Sequence, residues 1–71
     1  MIKFYSSHCS KCKMLEGEMK KRNIEFELID DEDIYMPIAR EHCIMSMPFA
    51  DIDGKIVNTV ALQKYIINGG N

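Results

Sequence analysis

Apolar residues open the chain at Ile2, Phe4 and Tyr5, broken only by Lys3, and give way to the polar stretch Ser6-Ser7-His8. A short apolar run bounded by turn residues predicts a buried strand over Ile2–Tyr5. The pattern then changes period. Over residues 10–22 helix formers dominate, and Cys12, Leu15 and Met19 recur at i, i+3 and i+7, which puts them on one face of a first helix. Gly17 costs that helix about 1 kcal/mol relative to alanine, and Asn23 supplies a stop. Met14 and Met19 are expected to fill the core.

Ile24, Phe26 and Leu28 alternate with Glu25 and Glu27, the period-2 signature of a strand over 24–29 with one buried face. The run Asp30-Asp31-Glu32-Asp33 reads as a solvated loop ending in an N-cap carboxylate. It leads into a second helix over 34–43, in which Pro37 fits only if it falls in the first turn. Cys43 is expected as a small buried residue at that helix's end. Beyond Ser46-Met47-Pro48, Asp53-Gly54 separates Phe49 and Ile52 from Ile56 and Val57, a strong signal for an antiparallel hairpin. A last helix over Thr59–Ile67 carries Val60, Leu62, Tyr65 and Ile66, and Asn68-Gly69-Gly70 ends it.

The order β-α-β-α-β-β-α predicts an α/β fold with a four-stranded mixed sheet flanked by helices. Its first βαβ unit is a right-handed crossover with parallel strands. The segment His8-Cys9-Ser10-Lys11-Cys12 then falls at a strand's carboxyl end, where open α/β sheets bind ligands.

Length narrows this to a single domain over 1–71, since 71 residues bury only about 60% of the unfolded surface and cannot support two cores. Hydrophobic residues make up 46% and charged residues 28%, the balance of a globular chain. A net charge of -2 without a basic stripe disfavours nucleic acid as a partner. No apolar run approaches the ~20 residues of a membrane span, and no hydrophobic signal segment opens the chain. Three cysteines are an odd number, so redox or metal chemistry in the cytoplasm is expected rather than a stabilising disulfide framework.

Two residues between Cys9 and Cys12 bring both thiols within one helical turn, close enough to form a disulfide with little backbone movement. Cys9 opens the helix, beside unpaired N–H groups and the positive end of the dipole, which favour its thiolate and make it the expected nucleophile. Cys12 lies one turn inside on the apolar face; it is expected to keep the higher pKa and to act as the resolving thiol. Lys11 and Lys13 add positive charge, and His8, when protonated, is a lesser candidate for stabilising the thiolate. In the cycle these roles imply, Cys9 attacks a substrate disulfide and Cys12 resolves the mixed disulfide. Two other readings compete. One is a zinc- or iron-binding module using Cys9, Cys12 and Cys43 with His42 or His8, although adjacent helical residues such as His42 and Cys43 diverge by about 100°. The other is a non-enzymatic adaptor.

Three segments carry a resemblance to the glutaredoxin and thioredoxin-like family: Phe4-Tyr5-Ser6-Ser7-His8-Cys9-Ser10-Lys11-Cys12-Lys13, Asn23-Ile24-Glu25-Phe26 and Ser46-Met47-Pro48. They look like its strand with active-site loop, its turn into the second strand and its cis-proline loop. The likeness extends over nearly the whole chain and suggests a minimal glutaredoxin-like disulfide reductase that serves electron transport. It implies that Cys9 and Cys12 are catalytic, that Pro48 is cis and faces them, and that the Met47 backbone pairs with an extended substrate. His8, Ser10 and Lys11 would border the same substrate. Implied partners are a disulfide-containing protein, ribonucleotide reductase among them, with glutathione or a thioredoxin-reductase-type enzyme as reductant, acting on a monomer with no resident cofactor. Two positions depart from the pattern. Many glutaredoxins have tyrosine where Ser10 stands. They also carry Gly-Gly and an acidic residue for glutathione where this chain has Asn58-Thr59 followed by Val60 and Ala61, which weighs against glutathione.

Overall fold

A computed structural model describes residues 2–69. Strands β1 (Ile2–Tyr5), β2 (Glu27–Ile29), β3 (Phe49–Ile52) and β4 (Lys55–Val57) alternate with helices α1 (Ser10–Lys21), α2 (Glu32–Glu41) and α3 (Thr59–Ile67) in the predicted order. The sheet order is β2-β1-β3-β4. β1 runs parallel to β2, with Phe4 opposite Leu28, and antiparallel to β3, with Tyr5 opposite Phe49. β3 and β4 form the expected hairpin, and Asp53 and Gly54 at its tip both have positive φ, 52° and 89°. Positive φ at both central residues is what a two-residue turn matched to strand twist requires.

Period-2 alternation sorts the sheet residues onto two faces. Ile2, Phe4 and Ala50 pack with Leu15 and Met19 of α1 and with Leu62 and Ile66 of α3. On the other face, Tyr5 and Phe49 pack with Tyr35 and Ala39 of α2. Each helix therefore buries the stripe that its spacing allows. On α1 the buried residues are Cys12, Leu15 and Met19, as periodicity predicts. Met14 does not join the core: it lies about 100° around the helix from Leu15 and is 54% exposed. Val60 is likewise exposed, and α3 buries Thr59, Leu62 and Ile66.

The start of β2 and both ends of α2, which stops at Glu41 and not at 43, differ from expectation for one common reason, the geometry of helix ends. At the end of α1, Asn23 is left-handed (φ 57°), its N–H bonds Lys20 O at 3.1 Å, and the Ile24 N–H bonds Met19 O at 2.9 Å. This paired-bond cap occupies residues that would otherwise begin a strand, so β2 starts at Glu27 and not at 24. Ile24 and Phe26 still pack on the α1 side, whereas Leu28 is 39% exposed. α2 begins earlier than expected because Asp31, not Asp33, is its N-cap, accepting the Asp33 N–H at 2.9 Å. Glu32 and Asp33 then occupy the first turn, where the dipole favours carboxylates. Pro37 consequently lies in the second turn rather than the first. It is solvent-exposed, so water can satisfy the carbonyl that its missing N–H leaves unpaired.

The end of α2 repeats the α1 cap, with Cys43 N–H on Arg40 O at 3.2 Å and Ile44 N–H on Ala39 O at 2.8 Å. Cys43 takes the left-handed position (φ 55°) and is exposed, not buried as expected. At the corresponding place after α3 stands Gly69 (φ 75°); the accompanying Gly70 lies outside the described residues. A β-carbon in this conformation costs roughly 1–2 kcal/mol. Cys43→Gly should therefore stabilise the protein by about 1 kcal/mol, a rise of some 4–8 °C in Tm for a domain of this size. A thermal melt in reductant checks this, and an unchanged or lower Tm would contradict it.

Candidate functional site

The carboxyl ends of β1 and β2 and the start of α1 converge on residues 6–12. Ser6 is buried and its N–H donates to Ile29 O at 2.9 Å, which extends the β1–β2 pairing by one residue. The Ser6 hydroxyl accepts the His8 N–H at 3.0 Å, and His8 turns the chain with φ 61°. Its imidazole Nε2 lies 2.8 Å from Asp30 Oδ2, joining the loop to the end of β2. The hydrogen bond to His8 holds the Asp30 carboxyl below its ordinary value.

Cys9 follows as the N-cap of α1, a place taken more often by Ser, Thr, Asp or Asn. Its sulfur accepts the Cys12 N–H at 3.3 Å, so an unpaired donor of the first helical turn points at Sγ. The two sulfurs lie 2.9 Å apart and are not bonded to each other. Cys9 is half-buried, whereas Cys12 is 0% exposed. The Ser7 hydroxyl stands 3.7 Å from the Cys12 sulfur.

The electrostatics of Cys12 depart from expectation. Burial pushes the Cys12 thiol up, but hydrogen bonds from the Cys9 side chain, the Ser7 backbone and hydroxyl and the Cys9 backbone outweigh it, lowering Cys12 from 9.0 to about 7. Cys12 therefore does not keep a raised pKa. A proton lost from two thiols this close belongs to the pair, and exposure, not acidity alone, decides which sulfur a substrate meets. Neither Lys11 nor Lys13 is among the causes of the lowering; both side chains are exposed. Ser10 is exposed beside them.

Across the sheet, the Met47–Pro48 peptide is cis, as expected. Pro48 is buried, and Phe49 pairs with Tyr5. Extending that register by one residue sets Pro48 opposite Ser6, at the base of the cysteine loop. Phe49 stacks on Tyr5 (centroids 4.7 Å, 22°) and meets Tyr35 edge-on (6.5 Å, 82°). Burial raises the Tyr35 hydroxyl first, and the charges of Glu32, Cys12, Asp30 and Cys9 raise it further.

The structure thus gathers His8, Cys9 and Cys12 where β1 passes into α1 and adds Ser7 and Asp30, which sequence reasoning missed. A signal for Asp30 existed: parallel β1 and β2 must end side by side, so residues just beyond each strand become neighbours. Cys43 and His42 lie elsewhere. They line a cavity of about 280 Å³ with Ile44, Ser46, Asn58 and Thr59. Among the described residues, no group of three or more His, Cys, Asp or Glu is arranged to hold a metal.

A scan of protein-family models finds no match, and a search of curated proteins finds none either. Among solved structures, a crystallised mutant of a thioredoxin-like protein superimposes with a TM-score of 0.70. The two are 22% identical, and the match covers 96% of this chain and 100% of the other. The fold is thioredoxin-like, and Cys9 and Cys12 stand at the start of α1.

Proposed function

We propose that the protein is a thiol–disulfide oxidoreductase that reduces protein or small-molecule disulfides through Cys9 and Cys12. One observation carries the reading: two unbonded sulfurs 2.9 Å apart at a helix N-terminus, one accessible and one buried. The Cys9 thiolate attacks a substrate sulfur, forming a Cys9–substrate disulfide and expelling the other substrate sulfur as a thiolate, which takes up a proton. Cys12 then gives up its proton and attacks the Cys9 sulfur. The second substrate thiol leaves, and the enzyme retains a Cys9–Cys12 disulfide. The substrate gains two electrons and the pair loses two. Extended protein substrates would pair with the Met47 backbone beside Pro48, and His8, Ser10 and Lys11 would border them.

For recycling, we favour a thioredoxin-reductase-type enzyme over glutathione. The first turn of α3, where glutaredoxins hold glutathione, is already engaged: Asn58 Oδ1 accepts the Ala61 N–H at 2.9 Å, and Thr59 turns inward. A cytoplasmic monomer acting on a disulfide-containing enzyme such as ribonucleotide reductase fits this chemistry. The described helices include none long and apolar enough to cross a membrane.

The test is an equilibrium redox titration in dithiol/disulfide buffers, read by mass spectrometry after alkylation with bound metal recorded. A reversible two-electron transition between roughly -180 and -280 mV is expected. No transition, with both cysteines protected by stoichiometric zinc, would replace this reading with a metal-binding module.

A further inference from the structure

Thr59, the first residue of α3, is only 4% exposed, and its hydroxyl is committed twice. Oγ1 lies 2.6 Å from the carbonyl oxygen of Pro48 and 3.0 Å from Ser46 Oγ. A threonine hydroxyl has one proton. The Pro48 carbonyl can only accept, so that proton goes to Pro48, and the Ser46 hydroxyl must donate to Thr59. The direction of the relay is thereby fixed: Ser46 to Thr59 to Pro48.

This relay grips the residues on either side of Met47 and leaves Met47 itself alone. Among the described residues, no group donates to the Met47 carbonyl or accepts from its N–H. Thr59 is also held rigidly. Asn58 caps α3, the Leu62 N–H bonds Asn58 O at 2.8 Å, and Leu62 and Ile66 are buried against the sheet. A β-branched side chain at the start of a docked helix has few rotamers to explore.

We infer that Thr59 is a positioning residue for substrate: through Pro48 and Ser46 it holds the Met47 peptide open as a pairing edge for an extended segment flanking the target disulfide. The inference rests on the oxidoreductase reading and on the Met47 pairing proposed with it, and adds to them the residue that positions the pairing edge, Thr59. Small disulfides, which cannot pair with a backbone, do not need the edge. A backbone pairing site that is held in place spares the incoming strand the cost of ordering it.

The experiment compares two substrates on the full-length protein. One is a peptide pair joined by a single disulfide with several residues on each side; the other is hydroxyethyl disulfide. Thr59→Val keeps the shape and removes the hydroxyl. It should lower kcat/KM for the peptide about tenfold, chiefly through KM, as expected when a buried carbonyl loses its partner. Hydroxyethyl disulfide turnover and the rate of Cys9 alkylation should change less than about twofold, within the scatter of a neutral substitution. Thr59→Ser should recover most of the peptide activity. Ser46→Ala, at the exposed end of the relay, should show a weaker loss of the same selectivity, and it provides the answer should Thr59→Val not fold. Equal losses on both substrates, or no loss on the peptide, would overturn the role of Thr59. Failure of the wild-type protein to reduce either substrate would instead overturn the oxidoreductase reading, and this inference with it.

Discussion

Cys9→Ser should abolish disulfide reduction, by a factor on the order of 10³ or more, because the step that forms the covalent intermediate is lost and only binding remains. The geometry makes the two cysteines unequal in a way that a pair of variants can read. Cys12 has no exposed surface and cannot substitute for Cys9 in meeting a substrate. Cys12→Ser should still complete the first half of the cycle and stop there, accumulating a mixed disulfide at Cys9. Intact-mass spectrometry of each variant after exposure to a disulfide peptide separates the cases: an adduct on Cys12→Ser and none on Cys9→Ser. An adduct on Cys9→Ser, or continued turnover by it, would mean that the roles are assigned to the wrong sulfurs.

A second large effect is the dependence of the reduced protein's stability on pH. Cys12 titrates near 7 in the folded chain, against an ordinary thiol value of 9.0. A thiol is neutral when protonated, and here the folded state favours the ionised form. Between these values the unfolded chain binds a proton that the folded chain has released, so stability rises with pH across the window. The contribution is complete above about pH 9 and is lost as pH falls through about 7. The folded value lies about two units below 9.0, and each unit corresponds to about 1.4 kcal/mol, so the effect is at most about 3 kcal/mol. Urea midpoints of the reduced protein should therefore climb from pH 6.5 to 9, whereas those of the oxidised protein, which has no thiol to titrate at the pair, should lack this rise. Parallel curves would show that the pair's hydrogen bonds do not stabilise the thiolate.

Much of this architecture was legible because local pattern and tertiary packing agree. The stripe Cys12, Leu15, Met19 became the buried face of α1, Asp53-Gly54 became a hairpin tip, and the limits of α3 fell where predicted. The misses cluster where several residues compete for one role. Any of four consecutive acids could have capped α2, and only the fold selects Asp31. The caps that follow α1 and α2 consume two residues beyond each helix, which shortened β2 and put Cys43 on the surface. At the site, the cysteine pair and the cis-proline were visible because their spacing and chemistry are local. His8 with Asp30, 22 residues apart, and Thr59 with Pro48, 11 apart, depend on how the crossover and the hairpin bring distant loops together. Periodicity contains no term for such encounters.

The strand order β2-β1-β3-β4 has a consequence for association between chains. Both outer strands are only three residues long, and each presents an exposed charge, Glu27 on β2 and Lys55 on β4. Short, charged rims are poor templates for edge-to-edge growth of a sheet. The Met47 peptide lies just before β3, an inner strand, so the substrate pairing proposed for it would be kept apart from the rims where pairing would build aggregates.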